Sequence, residues 1–292
     1  MTQTHQIARD ISYAHSATTR GGRAMIRLME NTTGRLRLIR RALGYEREIA
    51  RGRDFWSVMV DRYGLELEIT GGSLDHIPRS GPVVMIANHP YGILDGLMMG
   101  HMLARTRGDF RILAHHVFRK ASDLERVILP INFDDTRDAV RQNLETRKQA
   151  LDFLGQGGAI GIFPGGTVST AVSPFSTPMD PGWRGFTARM IAKSAAQVVP
   201  VFFDGHTSRL FQVASHLHPT LRMGLLIKEF RARVDTPVRV AIGRPIPRST
   251  LDPLASDTKR LMDFLRKATY ELSPTPLASY DYGFEFEDRH RA

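Results

Sequence analysis

Three short segments of the chain place polar residues or glycines directly after an apolar run. The first, NHPYGILD, covers residues 88–95 and follows the apolar run PVVMIA. A histidine has an ordinary pKa near neutrality, so His89 is suited to act as a general base. Asp95 could accept a hydrogen bond from the other ring nitrogen if the turn at Pro90 and Gly92 brings it back. Alternatively, His89 and Asp95 only cap a helix.

The second segment, FPGGTVS, covers residues 163–169. Two glycines beside hydroxyl side chains expose backbone N–H groups that suit a phosphate or an oxyanion, although Pro-Gly-Gly is also ordinary turn chemistry. The third segment, VVPVFFDGH, covers residues 198–206 and is an apolar strand pattern that ends in polar residues. Each of the three segments is therefore positioned like the end of a strand.

Several common catalytic patterns are missing from the sequence. It contains no cysteine, no G-x-S-x-G nucleophile elbow, no H-E-x-x-H helix and no P-loop. The histidine pairs at 115–116 and at 216 and 218 lack carboxylates at ligand spacing, so we expect no metal site. A reaction at His89 would therefore need neither a cysteine nucleophile nor a metal.

Short apolar runs alternate with longer helical patterns between residues 64 and 272. Residues 65–69 alternate strictly, and residues 82–87, 159–163 and 198–203 are continuous apolar runs, as expected of strands. Strands that alternate with helices predict an α/β domain with a mostly parallel central sheet flanked by helices. Ligands of such sheets gather at the carboxyl ends of strands, which is where the three segments lie.

The chain is basic, and its positive charge is concentrated near the N-terminus. The net charge is +10, and ten arginines stand against three acids between Arg20 and Arg53. Apolar residues recur there at near-helical spacing, namely Met25, Met29, Leu36, Ile39 and Leu43. Residues 23–63 are thus predicted to be a basic amphipathic helical segment, broken near Gly34, that associates with an anionic membrane surface. A solvated segment whose apolar stripe packs on the domain explains the pattern equally well.

The two ends of the chain have less definite patterns. Residues 1–22 are polar and are predicted to form a loose arm, and residues 273–292 form a tail that either docks or stays loose. No apolar run reaches 18 residues, and the first twenty residues lack a secretory signal, so we expect neither a membrane span nor export. We expect a cytoplasmic protein that is peripheral on the inner face of the cell membrane.

Taken in order, the three segments resemble the lysophospholipid acyltransferase superfamily, the 1-acylglycerol-3-phosphate O-acyltransferases. The motifs there are N-H-x4-D, F-P-E-G-T-R-S and a V-P-V strand, matched here by NHPYGILD, FPGGTVS and VVPVFF. The details are most similar to the bacterial hemolysin-like branch, which includes lyso-ornithine-lipid acyltransferases. The resemblance spans roughly residues 75–250.

The resemblance implies phospholipid biosynthesis by acyl transfer at a membrane. An acyl group would pass from acyl-CoA or acyl carrier protein, as co-substrate and without any other cofactor, to a hydroxyl of a lysolipid. His89 would be the general base and Asp95 would orient it. Substrate would be bound by residues of the first two motifs, namely Asn88, Pro164, Gly165, Gly166 and Thr167.

The sequence departs from the superfamily pattern at three positions. Five residues, not four, separate His89 from Asp95, Gly165 replaces the glutamate of the second motif, and Val168 replaces its arginine. The head group of the acceptor is therefore left open. Basic residues such as Arg119, Lys120, Arg137 and Arg184 are candidates to bind it, but surface arginines are usually only solvated.

Two other functions compete with acyl transfer. An esterase or thioesterase could use the same His89 and Asp95 with water as acceptor, but the missing serine elbow argues against it. A lipid-binding or nucleic-acid-binding protein without catalysis is the second alternative. Nucleic-acid binding would favour aromatic residues among the arginines, and only Tyr45 is aromatic there, so we expect no nucleic-acid partner.

Overall fold

The computed structural model describes residues 11–286, except residues 18, 116–121, 133–135 and 174. In this part of the chain seven strands form one sheet. The strands are β1 (Glu66–Gly72), β2 (Val83–Ala87), β3 (Phe110–His115), β4 (Ile128–Ile131), β5 (Ala159–Ile162), β6 (Gln197–Phe203) and β7 (Pro237–Ile242). Each begins or ends within a few residues of an apolar run in the sequence.

The sheet has the strand order β1-β7-β6-β2-β5-β3-β4. All neighbouring strands are parallel except β6 and β7, which are antiparallel. The prediction of a mostly parallel central sheet is therefore confirmed. β2 lies at the centre between β5 and β6, and these three strands end at the polar residues or glycines of the three segments singled out in the sequence. Their carboxyl ends consequently meet in the middle of one edge of the sheet.

Helices connect the strands. Ahead of the sheet lie α1 (Arg20–Thr33), α2 (Arg35–Ala42), α3 (Tyr45–Ile49) and α4 (Phe55–Arg62). The others are α5 (Ile93–Thr106), α6 (Ser122–Glu125), α7 (Arg137–Gly155), α8 (Gly185–Ala192), α9 (Arg209–Leu217), α10 (Pro219–Arg231), α11 (Arg248–Leu251) and α12 (Thr258–Tyr270). In the described part of the chain, no helix is both long and apolar enough to cross a membrane.

Both faces of the sheet are covered, so the central strands alternate between two apolar cores. Met85 of β2 packs with α4, α5 and α10, whereas Val84 and Ile86 pack with α7, α8 and α12. The N-terminal helices belong to the first of these cores through side chains such as Leu38 and Trp56. Burial on both faces explains why β2 reads as a continuous apolar run.

The prediction of a loose N-terminal arm is wrong for residues 11–17. Ser12 Oγ donates to the buried carboxylate of Glu30 at 2.6 Å, and the N–H of Tyr13 donates to the other oxygen at 2.6 Å. Arg35 Nε also donates to the carbonyl of Ile11 at 2.8 Å. Glu30 and Arg35 therefore fix this segment onto the N-terminal helices, beginning with α1 at Arg20. Residues 1–10 of the predicted arm lie outside the described residues.

The C-terminal tail docks on the domain as far as residue 286. Arg266 donates to the carbonyl oxygens of Tyr280 at 2.6 Å and Asp281 at 2.8 Å. The N–H of Gly283 donates to the carbonyl of Asp180 at 2.8 Å. The sequence left open whether the tail docks or stays loose, and the tail is docked as far as residue 286. Docking brings the tail to the edge of the sheet where β2 ends.

Candidate active site

His89 and Asp95 come together at the carboxyl end of β2. His89 Nδ1 lies 3.0 Å from Asp95 Oδ2, although the direction departs from that of a well-aligned hydrogen bond. The same carboxylate oxygen accepts from the N–H of Tyr91 at 2.7 Å and of Gly92 at 3.0 Å. Gly92 has a φ of 79°, which favours glycine, and it is the N-cap residue directly before α5. The turn therefore brings Asp95 back to His89 although five residues, not four, separate them in sequence.

The surroundings of Asp95 make its negative charge costly. The side chain is fully buried, and burial raises the pKa of Asp95, while His89 and the two backbone N–H groups oppose that rise. In the described part of the chain, Oδ1 has no hydrogen-bond partner. The hydrogen-bonded oxygen of Asp95 faces His89. The carboxylate is therefore suited to hold the imidazole ring of His89 in place and to stabilise its protonated form.

The FPGGTVS loop lies against His89. The ring of Phe163 stacks on the His89 ring with centroids 4.2 Å apart, and the N–H of Ser169 donates to the His89 carbonyl at 2.8 Å. Among the described residues, the backbone N–H groups of Thr167 and Val168 have no hydrogen-bond partner. The loop thus presents two free donors close to the histidine, which is the arrangement that an oxyanion requires.

Asp180 joins this loop to β2, and the sequence reasoning missed it. Its fully buried carboxylate accepts from the N–H of His89 at 3.2 Å, from Trp183 Nε1 at 2.9 Å and from the hydroxyl of Ser169. A Cβ at Gly165 would lie 3.2 Å from Asp180 Oδ2. The carboxylate of Asp180 therefore occupies the space next to the position where the superfamily has its glutamate. The only local sign of it is the Asp-Pro-Gly turn that Asp180 itself begins, directly before Trp183.

A cavity of about 440 Å³ opens beside His89. Its wall is largely apolar and is built from α4, α5, β3, β4 and α10. Representative lining residues are Trp56, Gly96, Ile112, Leu226 and Phe230. Cavities of this size commonly bind a small molecule or part of a larger one. The site thus combines an apolar chamber with a histidine and free backbone donors.

The predicted substrate-binding residues divide into two groups. Gly166 and Thr167 line the cavity. Asn88 does not, because its side-chain amide is bonded to the backbone N–H and carbonyl of Phe203, at 2.7 and 2.9 Å, and so joins β2 to β6. Pro164 and Gly165 are also absent from the wall, since the Pro164 carbonyl binds the N–H of Arg184 and Gly165 packs on Asp180.

The structure adds residues to the cavity that the sequence reasoning did not name. Arg222 of α10 and Tyr13 of the N-terminal segment both line it, as does Phe286 of the docked tail. Arg184, one of the suggested basic residues, lines it as well and pairs with Glu285 at 2.8 Å. Arg119 and Lys120 lie outside the described residues. These side chains come from distant parts of the chain, which local patterns do not connect.

Comparison with known proteins identifies the family of the chain. Residues 35–278 match a family model described as Acyltransferase. Lyso-glycine lipid O-acyltransferases of Phocaeicola vulgatus and Bacteroides thetaiotaomicron are each 24% identical to the chain, over 76% of it and over 78% and 80% of their own lengths. The crystal structure of PlsC, the 1-acyl-sn-glycerophosphate (LPA) acyltransferase of Thermotoga maritima, is 17% identical, covers 76% of this chain and 78% of its own, and has a TM-score of 0.45. Since the family model covers most of its length, the chain belongs to the acyltransferase family.

Proposed function

We propose that this protein transfers a fatty acyl group from an acyl thioester to a hydroxyl group of a lysolipid at a membrane surface. One observation carries the proposal: His89, backed by the buried Asp95, faces a largely apolar cavity at the centre of the sheet edge. The names of the two relatives, lyso-glycine lipid O-acyltransferases, support a lysolipid as acceptor.

In the proposed reaction His89 is the general base. With the ring hydrogen on Nδ1, the nitrogen that lies 3.0 Å from Asp95 Oδ2, Nε2 keeps its lone pair for the acceptor hydroxyl. Nε2 takes the hydroxyl proton while the oxygen attacks the thioester carbonyl carbon. The carbon–sulfur bond then breaks, the thiolate leaves with the proton from His89, and the new ester remains. Such general-base assistance contributes typically about 10²–10⁴-fold to a rate.

The negative charge that develops on the thioester oxygen needs donors. We assign this role to the free N–H groups of Thr167 and Val168, because they belong to the loop that packs on His89. Asp180 acts on the reaction indirectly, as a positioning residue that holds this loop and the end of β2 together. The chemistry needs no cofactor other than acyl-CoA or acyl carrier protein as co-substrate.

The acyl chain of the donor is proposed to occupy the apolar cavity, where its burial supplies binding free energy of about 0.8 kcal/mol per methylene. We also propose that the exposed arginines and apolar side chains of α1 and α2 hold the protein on an anionic membrane, at the cytoplasmic face of the cell membrane. In this position the lysolipid would enter the site from the bilayer.

The test is acyl transfer from radiolabelled acyl-CoA and acyl carrier protein to a panel of lysolipids. We expect acylated product with at least one acceptor, and a loss of about 10²-fold or more in the well-folded His89→Ala protein. A folded His89→Ala protein that keeps its turnover would disprove the general-base role. Release of free fatty acid without any acylated lipid would instead identify a thioesterase.

A further inference from the structure

Arg222 is a buried cation in the cavity wall to which the proposed chemistry gives no role. It is 3% exposed and lies between the rings of Phe211 and Phe286, with its guanidinium carbon 5.0 and 4.3 Å from their centroids. Burial lowers the pKa of Arg222 to about 9, so the guanidinium remains charged at neutral pH. A positive charge is therefore held permanently beside the site.

The hydrogen-bond partners of Arg222 are all uncharged. Nη1 and Nη2 donate to four oxygens, those of Thr170 Oγ1 (2.7 Å), Ser215 Oγ (2.9 Å), Thr167 Oγ1 (3.1 Å) and the Val168 carbonyl (2.8 Å). Among the described residues no carboxylate pairs with Arg222, and Nε donates none of these four hydrogen bonds. Arg184, the other arginine of the cavity wall, differs because it pairs with Glu285 at 2.8 Å.

A buried charge without an opposite charge is costly, because hydrogen bonds to uncharged groups and contacts with aromatic rings offset the loss of hydration only in part. The four hydrogen bonds brace the loop from Thr167 to Thr170, but bracing alone requires only donors. A neutral side chain with donors would brace the loop without the cost of a buried charge. The charge of Arg222 is therefore better explained by an anion that binds in the cavity than by the loop.

We propose that Arg222 binds an oxyanion of the acceptor's head group, a carboxylate or a phosphate, beside the site where His89 activates the acceptor hydroxyl. The donor that we assign to this anion is Nε–H, which donates none of the four hydrogen bonds to the loop and to Ser215. The Thr167 hydroxyl accepts from Nη2, so its own hydrogen is available as a second donor. Charge-assisted hydrogen bonds of this kind are the strong ones. This inference rests on the proposed function and specifies the class of acceptor that the enzyme selects.

The position of Arg222 also accounts for one departure from the superfamily pattern. Val168 replaces an arginine of the second motif, and its side chain packs in an apolar cluster with Phe211 and Leu226. The guanidinium of Arg222 reaches the same loop from α10, where it binds the Val168 carbonyl. A cation is thus supplied to the loop by another helix.

The first experiment uses the wild-type full chain alone. Acyl transfer is measured with three acceptors that share one hydroxyl and one acyl chain but carry a carboxylate, the methyl ester of that carboxylate, or a phosphate. We expect kcat/KM to be about 10- to 100-fold higher for at least one acid than for the ester. The better of the two acids identifies the anion. If the wild type acylates all three equally well, the inference is wrong although the proposed function stands.

The second experiment compares Arg222→Met and Arg222→Lys with the wild type. Arg222→Met should remove the preference for the acid over the ester, mainly through a higher KM for the acid, whereas Arg222→Lys should keep part of it. A residue that only braces the loop would instead lower transfer to acid and ester by the same factor in both variants. That result, or a change confined to the KM of the acyl donor, would overturn the proposal. A wild type that acylates no acceptor would refute the proposed function itself.

Discussion

At the scale of single residues, the site depends on an acid that is unfavourable to bury. Asp95 is fully buried with one oxygen unpartnered in the described chain, and this is the kind of cost that function retains. Replacing Asp95 by asparagine keeps an oxygen to accept from Tyr91 and Gly92 but removes the charge that stabilises a protonated His89. We expect Asp95→Asn to lower kcat by about 10²–10⁴-fold, measured by acyl transfer at saturating substrates.

The Asp95→Asn substitution is also expected to change how the melting temperature depends on pH. Burial raises the pKa of Asp95 in the folded state above its value in the unfolded state. The contribution of Asp95 to the free energy of unfolding is therefore favourable below the unfolded-state pKa and is lost as the pH rises through the folded-state pKa. Asp95→Asn should therefore melt no lower than the wild type at pH 7, and its advantage should shrink towards pH 4. Melting curves across this range check the sign. An advantage that grew on acidification would contradict it.

Gly165 gives a second prediction at this scale. The superfamily has a glutamate here, but a Cβ at Gly165 would lie within 3.2–3.3 Å of three atoms of Asp180, and a carboxylate would add a like charge to that buried acid. We expect Gly165→Glu, which restores the family residue, to destabilise the protein by about 2 kcal/mol or more and to abolish transfer. Gly165→Ala is the control, with a smaller loss in both measurements. A stable and active Gly165→Glu protein would show that Asp180 does not fill this space.

Residues differ in how far the sequence could predict them. His89 and Asp95 lie on one turn, so their proximity follows from local geometry, and Gly92 shows where the chain must reverse. Asp180 and Arg222 could not be found in this way, because the hydrogen bonds that connect them to His89 and to the loop at Thr167 and Thr170 join residues 91 and 52–55 positions apart in sequence. Nothing in the local pattern around them requires a buried charge.

At the scale of elements, α5 and α4 together form one wall of the cavity. On α5 a side chain at Gly96 would meet no atom within 4 Å, whereas one at Gly100, a turn further on, would collide with the ring of Trp56 from α4. Gly96 and Trp56 both line the cavity, and the ring of Trp56 lies against Gly100. The two glycines therefore have different roles: Gly100 allows the two helices to pack closely, and Gly96 leaves room for ligand.

We therefore expect Gly96→Phe to shorten the acyl chain that the enzyme accepts. The ring would project into the empty space, so transfer from a long-chain donor should fall about tenfold or more relative to a short-chain donor, a loss of about 1.4 kcal/mol. The measurement is kcat/KM for a series of acyl-CoA chain lengths. Gly155→Phe, at an exposed glycine with equally open surroundings at the end of α7, is the control and should leave the profile unchanged.

Elements were predicted well where burial imposes a pattern. The strands β2, β5 and β6 are covered on both faces, so their sequences are continuous apolar runs and their ends fall within a residue or two of the prediction. The helix α9 was not predicted, although Ser208 caps it by accepting from the N–H of Phe211. Leu210, Val213 and Leu217 do recur at helical spacing in the sequence. In the structure these three side chains are exposed to solvent and do not pack in the core.

At the scale of the whole molecule, the N-terminal helices have one face in the core and one face exposed to solvent. Trp56 and Leu38 belong to the main core, so removal of residues 23–63 would damage the fold and cannot test membrane binding. Eight of the ten arginines between Arg20 and Arg53 are exposed, all except Arg27 and Arg35. Four large apolar side chains are 45–65% exposed on the same helices or just after them, namely Met25, Leu28, Leu36 and Leu43.

Substitution of these four apolar side chains by serine should separate the fold from membrane association. We expect the serine variant to melt near the wild-type temperature but to bind phosphatidylglycerol-containing liposomes at least about tenfold more weakly, since it loses the apolar groups that enter the interface. Binding of the wild type should also weaken as salt is raised, because screening reduces the attraction between arginines and anionic lipid. The control is Val140→Ser with Leu144→Ser, which removes apolar side chains of similar exposure from α7. Equal liposome binding by the control and the serine variant would show that the N-terminal helices are not the membrane-binding surface, and the solvated-helix interpretation of the basic segment would then stand.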